Sequence, residues 1–291
     1  MTTIIDGKKV STEIKDELRI KTKKLFETKG IKPGLAVLLV GDDPASEVYV
    51  NSKHKACEKI GYKSIVEKQP QGISEEEVIE IVEKWNNDDS IHGILVQSPL
   101  PSHINENNVI LSIDPDKDVD GFHPVNVGKL VIDLPGHVSC TPAGIVELLK
   151  RYKIETRGKH VVVVGRSNIV GKPITNLMYQ KNENANSTVT ICHSASRDIS
   201  QYTKQADILI VAVGRPEMIK SDDIKDGVVI IDVGINRVDA DNEKGYRLVG
   251  DVDYNDVISK VSAITPVPGG VGPMTIAMLL NNTFNSANSI K

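Results

Sequence analysis

The sequence predicts an α/β protein of two domains, each built around parallel strands, and three observations predict it. Apolar runs of strand length bounded by glycine recur along the chain, as strands buried on both faces should. Helical segments with caps or apolar stripes alternate with them, which implies parallel pairing through right-handed crossovers. The 291 residues, 40% hydrophobic and 25% charged, suffice for two ordinary cores at ~150 residues per domain.

Val10, Ile14, Leu18 and Leu25 fall on one stripe of a first helix, and Gly30 stops it. GLAVLLVG (34–41) is the first buried strand, and a helix follows through Tyr49 to Ile60, closed by Gly61. Ser74 and Glu77 form a capping box that opens a helix to about Trp85. HGILVQSPLP (92–101) is a second buried strand running into a proline-rich turn. Near residue 140 the pattern restarts, with Thr141 as N-cap and Pro142 at the first helical position. HVVVVG (160–165), STVTIC (187–192), DILIVAVG (207–214) and VVIIDVG (228–234) are four more buried strands, the first three separated by helical spacers. A last helix follows Pro273, and pattern alone assigns it to neither unit. The sequence shows no internal repeat.

Thirty-five basic and 39 acidic residues give a net charge of −4, which argues against a general nucleic-acid binder. Cys57, Cys140 and Cys192 are far apart and form no CxxC pair, so a reducing compartment is the simpler reading. Asp6 and Lys8 interrupt the place where a secretion signal needs its apolar core. No apolar run approaches the ~18 residues of a membrane span. A soluble, cytoplasmic protein is expected, with no nucleic-acid or membrane partner. No metal site is expected either: DPDKDVDGF (114–122) is carboxylate-rich but lacks the spacing and terminal Glu of a calcium loop.

Five segments suggest chemistry. In VVVVGRSNIVGKP (161–173) Gly165 ends a strand and Gly171 opens a helix, a turn whose N–H groups suit a pyrophosphate. It is not GxGxxG, and a plain strand–helix turn is the alternative. Nor is it GxSxG, since Ile169 stands where the nucleophile elbow needs glycine; Ser167 is no nucleophile. The next strand ends Cys192-His193-Ser194 without the carboxylate that binds the ribose 2′-hydroxyl of NAD. Arg166 can fork onto a 2′-phosphate and Ser194 can add a hydrogen bond, which favours NADP; an exposed arginine is the ordinary alternative.

Tyr49 and Lys53 share one helix face. A lysine in a dry cleft exchanges protons nearer neutrality, and the tyrosine offers a ring for stacking. A solvated lysine beside a half-buried tyrosine is the bland alternative. Gln97 ends the strand GILVQ, where parallel sheets collect ligands; its amide can hold a lysine or a substrate carbonyl, or merely satisfy a loop. Asp120, before Gly121, is the best candidate to accept from an amino-pyrimidine edge, while turn formation explains its neighbours. TPVPGGVGPMT (265–275) is stiff at its prolines and lets backbone approach a ligand at its glycines.

PVPGGVGPMT, KDVDG, VVGRSNIVGKP and the Tyr49–Lys53 helix together resemble the bifunctional methylenetetrahydrofolate dehydrogenase/methenyltetrahydrofolate cyclohydrolase (FolD-type) family across essentially the whole chain. The resemblance implies NADP-dependent oxidation of 5,10-methylenetetrahydrofolate to the methenyl form, then hydrolysis to 10-formyltetrahydrofolate. It implies a folate-binding catalytic domain over 1–140, completed by the helix 273–291, a Rossmann-like NADP-binding domain over 141–272, and a cleft between them. Lys53 would be the principal catalytic residue, tuned by Gln97, with Tyr49 stacking on the folate and Asp120 holding the pterin. Val96 and Ser98 of the VQSPL turn would touch substrate, as would Pro268, Gly269, Gly270, Val271, Gly272, Pro273, Met274, Thr275 and Ile276. Gly165, Arg166, Ser167, Ser194 and Ile235 would contact the cofactor. Tetrahydrofolate derivatives and a second copy of the chain, in a homodimer, are the implied partners.

Overall fold

A computed structural model describes residues 2–243 and 245–289. The elements begin with β1 (Thr3–Ile4), α1 (Gly7–Lys29), β2 (Gly34–Val40), α2 (Pro44–Ile60), β3 (Lys63–Gln69), α3 (Glu75–Asn86) and β4 (Gly93–Val96). Next come α4 (Glu106–Ser112), α5 (Pro124–Val131), α6 (Cys140–Arg151), β5 (His160–Val164), α7 (Gly171–Tyr179), β6 (Thr188–Cys192) and α8 (Ser200–Thr203). The chain closes with β7 (Ile208–Val211), β8 (Val229–Asp232), β9 (Asn236–Asp239), β10 (Tyr246–Val249), α9 (Tyr254–Val257), β11 (Ala263–Ile264) and α10 (Gly272–Ser289). Two compact units result. Thr12–Cys140 with the residues from Ile276 onward form the small-sheet unit; the residues up to Ser11 with Thr141–Thr275 form the large-sheet unit.

The small sheet has the order β3-β2-β4, all parallel. Every residue of the central β2 is buried, and the face carrying Ala36, Leu38 and Val40 packs with Val78, Val82 and Trp85 of α3. The capping box that starts α3 has both halves: Glu77 N donates to Ser74 Oγ at 3.2 Å, and Ser74 N to Glu77 Oε2 at 2.9 Å. β3 escapes the sequence reading because KSIVEKQ is half polar; as an edge strand it needs only one paired side. β4 stops at Val96, one residue short of the GILVQ strand end. Gln97 N still bonds Leu38 O at 2.9 Å, but Pro99 and Pro101 have no N–H with which to continue.

The large sheet runs β1-β11-β8-β7-β5-β6, again parallel throughout. Here the first residues differ from the expected 1–140 body. Thr3 N donates to Ser262 O at 2.9 Å and Ile5 N to Ile264 O at 2.8 Å, which ties the N-terminus to β11 of this unit. A two-residue strand leaves no periodicity to read. β6, expected to be buried, is a half-exposed edge strand with Ile191 38% exposed. α6 begins at Cys140, so Thr141 is not its N-cap; the Thr141 hydroxyl instead meets Thr275 Oγ1 at 2.9 Å. The hairpin β9–β10 was not foreseen; it carries Arg237 over the Tyr246 ring, 3.8 Å from its centroid. Among the described residues no helix is long and apolar enough to cross a membrane.

Candidate active site

In the small-sheet unit the site begins with α2. Asp43 caps it by accepting Ser46 N at 2.8 Å, Pro44 opens its first turn, and Gly61 closes it in the left-handed region at φ 89°. Val50, Cys57 and Ile60 bury one face of α2, which fixes the rotation of the helix. Tyr49 stays 53% exposed, and Lys53 one turn later is partly buried. Lys53 Nζ donates to Gln97 Oε1 at 2.9 Å. The Gln97 amide is oriented from its other end, since its Nε2 donates to Ser98 O at 2.6 Å. Burial pushes the Lys53 ammonium below its usual range, and the nearby Asp120 carboxylate opposes that push. Asp120 responds in the reverse sense: burial raises its carboxyl and Lys53 pulls it back.

The KDVDG turn holds Asp120 through its neighbours. Lys117 Nζ donates to the carbonyls of Trp85, Asn86 and Asp88 at 2.8–3.2 Å, so it caps the end of α3. Asp118, 2% exposed, accepts Phe122 N, His123 N and Asn126 Nδ2, and thereby shapes the start of α5. Asp116 is a surface group near Lys129. Gly121 has φ 71°, and a Cβ there would lie 2.6 Å from Ser139 N. Val96, Ser98, Leu100, Asp120 and Phe122 line one open pocket of this unit.

Two contributors were missed. Cys140 Sγ donates to Val119 O at 3.3 Å and lies 3.8 Å from Asp120 Oδ1; burial pushes the thiol well up, so it stays protonated. Asn282 of α10 donates to Val119 O at 2.9 Å and Val138 O at 3.0 Å, pinning the turn before Asp120. Neither had a local signal: Cys140 is an isolated cysteine and Asn282 sits in an Asn-rich tail.

In the large-sheet unit Gly165 leaves β5 at φ 126°, where a Cβ would lie 2.2 Å from Ala212 O. A Cβ on Gly171 would lie 2.3 Å from Gly165 O. Both glycines therefore let the backbone close into a tight strand–helix turn without the GxGxxG spacing. Ser167 Oγ accepts Val170 N at 3.1 Å and Gly171 N at 3.3 Å, so it caps α7 and keeps its own proton free to donate. Arg166, Ser194 and Ile235 are all exposed. β5 has β6 on one side and β7 on the other, and the reversal of winding between β5 and β7 opens a crevice at their carboxyl ends. A loop without room for Cβ, a helix N-terminus and an exposed guanidinium fit a dinucleotide with a 2′-phosphate.

Pro268–Thr275 belong to this same unit, whereas Ile276 belongs to the other. The loop is held by the N-terminal segment: Lys8 N donates to Gly269 O at 2.9 Å, and Ser11 Oγ to Pro273 O at 2.8 Å. A Cβ on Gly7 would lie 1.7 Å from Gly270 O, so the contact is backbone to backbone. Met274 and Val271 are buried and Pro268 is exposed.

A nucleotide-type crevice in one unit and a lysine–amide–carboxylate cluster in the other are the features of a dinucleotide-dependent α/β enzyme. Comparison with known proteins narrows the class. Residues 5–120 match the model of the tetrahydrofolate dehydrogenase/cyclohydrolase catalytic domain, and residues 139–291 match that of its NAD(P)-binding domain. The chain belongs to the tetrahydrofolate dehydrogenase/cyclohydrolase family. The bifunctional protein FolD of Chlorobium chlorochromatii is 59% identical over 289 residues, 97% of each chain. The FolD crystal structure from Campylobacter jejuni superposes with a TM-score of 0.94 at 51% identity over 99% of each chain. A Trypanosoma brucei dehydrogenase-cyclohydrolase, solved with NADP cofactor and an inhibitor, gives 0.92 at 38% identity, covering 99% of this chain and 97% of that one.

Proposed function

We propose that the chain oxidises 5,10-methylenetetrahydrofolate to 5,10-methenyltetrahydrofolate with NADP and hydrolyses the product to 10-formyltetrahydrofolate. The observation that carries the reading is the Lys53–Gln97 hydrogen bond at 2.9 Å beside Asp120, a proton-transfer centre that a dehydrogenase alone does not need. Membership of a family with both activities supports it.

NADP supplies the hydride acceptor. Gly165 and Ser167 hold its pyrophosphate, Arg166 and Ser194 its 2′-phosphate, and Ile235 contacts it. Tyr49 stacks on the folate, Asp120 accepts from the pterin, and Val96 and Ser98 touch the substrate. The unit of the small sheet is thus the folate domain, and the unit of the large sheet the cofactor domain. Hydride transfer depends on positioning, and no proton moves at Lys53 in that step. In the hydrolytic step water adds to the cationic methenyl carbon and loses a proton to the Lys53 amine. The C–N5 bond then breaks as N5 takes that proton back from Lys53 and the hydroxyl releases its own proton to solvent, which leaves the formyl group on N10. Burial already weakens Lys53 as a base, and a cationic substrate beside it favours the neutral amine further. Gln97 keeps Nζ aimed during this exchange. The protein is a cytoplasmic homodimer joined through its cofactor domain, as the family resemblance implies.

A spectroscopic assay with methylenetetrahydrofolate and either NADP or NAD tests the proposal, following reduced nicotinamide and the methenyl form separately. NADP reduction with little methenyl build-up is expected. Reduction with methenyl accumulating leaves a dehydrogenase alone; no reduction of either cofactor overturns the reading. Sedimentation as a single-chain species would remove the homodimer.

A further inference from the structure

Beyond the Gly165 loop, the crevice has a second wall, made by the segments that leave β7 and β8. Two carboxylates buried beneath it have no part in the proposed chemistry. Asp251, fully buried, accepts four N–H groups: Oδ2 takes Val213 N at 2.7 Å and Gly214 N at 3.0 Å, while Oδ1 takes Arg215 N at 2.8 Å and Asn236 Nδ2 at 2.9 Å. Asp232, 3% exposed, accepts Gly234 N, Asp251 N and Val252 N, each at 3.0 Å. Glycines stand where the carboxylates pass: a Cβ on Gly234 would lie 2.3 Å from Asp251 Cγ, and one on Gly250 would lie 1.8 Å from Asp232 Oδ2. Burial, with the neighbouring Asp251 carboxylate, pushes the Asp232 carboxyl up to about 7.

We propose that Asp251, braced by Asp232, is a positioning residue for cofactor binding that locks the segments 213–215 and 234–236 into one wall of the NADP crevice. Three successive backbone N–H groups converging on one point make an anion nest. Asp251 fills that nest from inside the protein, so residues 213–215 have no backbone N–H left to form a phosphate cradle, and the pyrophosphate is directed to the Gly165 loop. The Asn236 contact extends the same lock to Ile235, the exposed apolar side chain placed at the cofactor. The turn at Gly165 rests on this wall as well, since Ala212 O fills the space of its absent Cβ.

This inference rests on the NADP reading, and the test separates the two. Asp251→Asn is isosteric, but its amide would turn N–H groups toward N–H groups. Losing one or two such bonds is worth about tenfold in binding, so KM for NADP should rise by about tenfold or more. Hydrolysis of supplied methenyltetrahydrofolate needs no nicotinamide and should stay within about twofold of wild type. If Asp251→Asn does not fold, Asn236→Ala removes a single donor and should raise KM for NADP by a few-fold with hydrolysis unchanged. An unchanged KM for NADP in the folded variant, or a parallel loss of both activities, overturns the proposal. Failure of wild type itself to reduce NADP would instead overturn the functional reading.

Discussion

Replacing Lys53 by methionine keeps a chain of similar length on α2 and removes the proton-accepting nitrogen. In the structure that nitrogen is the donor to Gln97 Oε1 at 2.9 Å, so the variant leaves one amide oxygen without it, at a cost of about 1 kcal/mol. Relief from burying an ammonium offsets much of that cost. For a chain of this size the melting temperature should therefore move by no more than about 4 °C. The catalytic loss is far larger. A positioned general base contributes about 10²- to 10⁴-fold, equivalent to about 3–5 kcal/mol of barrier, so methenyl hydrolysis should fall by that factor. Hydride transfer uses no proton at Lys53 and should stay within about tenfold of wild type. The assay follows methenyl absorbance and NADPH in the same cuvette: Lys53→Met should form NADPH while methenyltetrahydrofolate accumulates. Hydrolysis at the wild-type rate in the folded variant would refute the assignment, and a parallel collapse of both rates would show that Lys53 holds the fold or the substrate instead.

Because burial lowers the Lys53 ammonium, hydrolysis should rise with pH as the neutral amine fills, along a limb below that of an ordinary lysine. Asp120→Asn removes the charge that keeps the proton on Lys53, so this limb should shift to lower pH at saturating substrate; a shift upward would contradict the sign. Arg166→Ala should raise KM for NADP by about 10- to 100-fold and leave NAD use nearly unchanged, and equal losses for both would place the guanidinium elsewhere. Gly165→Ala puts a methyl 2.2 Å from Ala212 O at a left-handed φ. It should cost about 3 kcal/mol or more in thermal or denaturant unfolding, and unchanged stability would mean that the turn is slack.

Local pattern carried much of the fold. GLAVLLV and HVVVV could be read as buried strands because parallel strands covered on both faces must be apolar throughout, and the Ser74–Glu77 box because its two hydrogen bonds lie within four residues. The Tyr49–Lys53 face follows from helical period alone. The family resemblance, carried by the order of four motifs, reached the chemistry that no single motif decided.

Tertiary structure alone decided which polar groups meet. Lys53 and Gln97 are 44 residues apart and touch because the strand order sets β4 beside β2, a pairing that no window of sequence encodes. Within one KDVDG turn it made Lys117 a helix cap and Asp118 a buried brace, beside the Asp120 that the sequence had singled out for the site. It drew Cys140 and Asn282 to that turn, and it returned the first strand to the distant sheet through β11. The physical reason is common to these cases. Backbone preference and apolar period act over a few residues, so the sequence by itself determined the strongly apolar or capped elements and the motifs they carry, but not β1, β3 or the hairpin β9–β10. The burial and partner of a polar group depend on chain crossovers, and these only the folded protein decides.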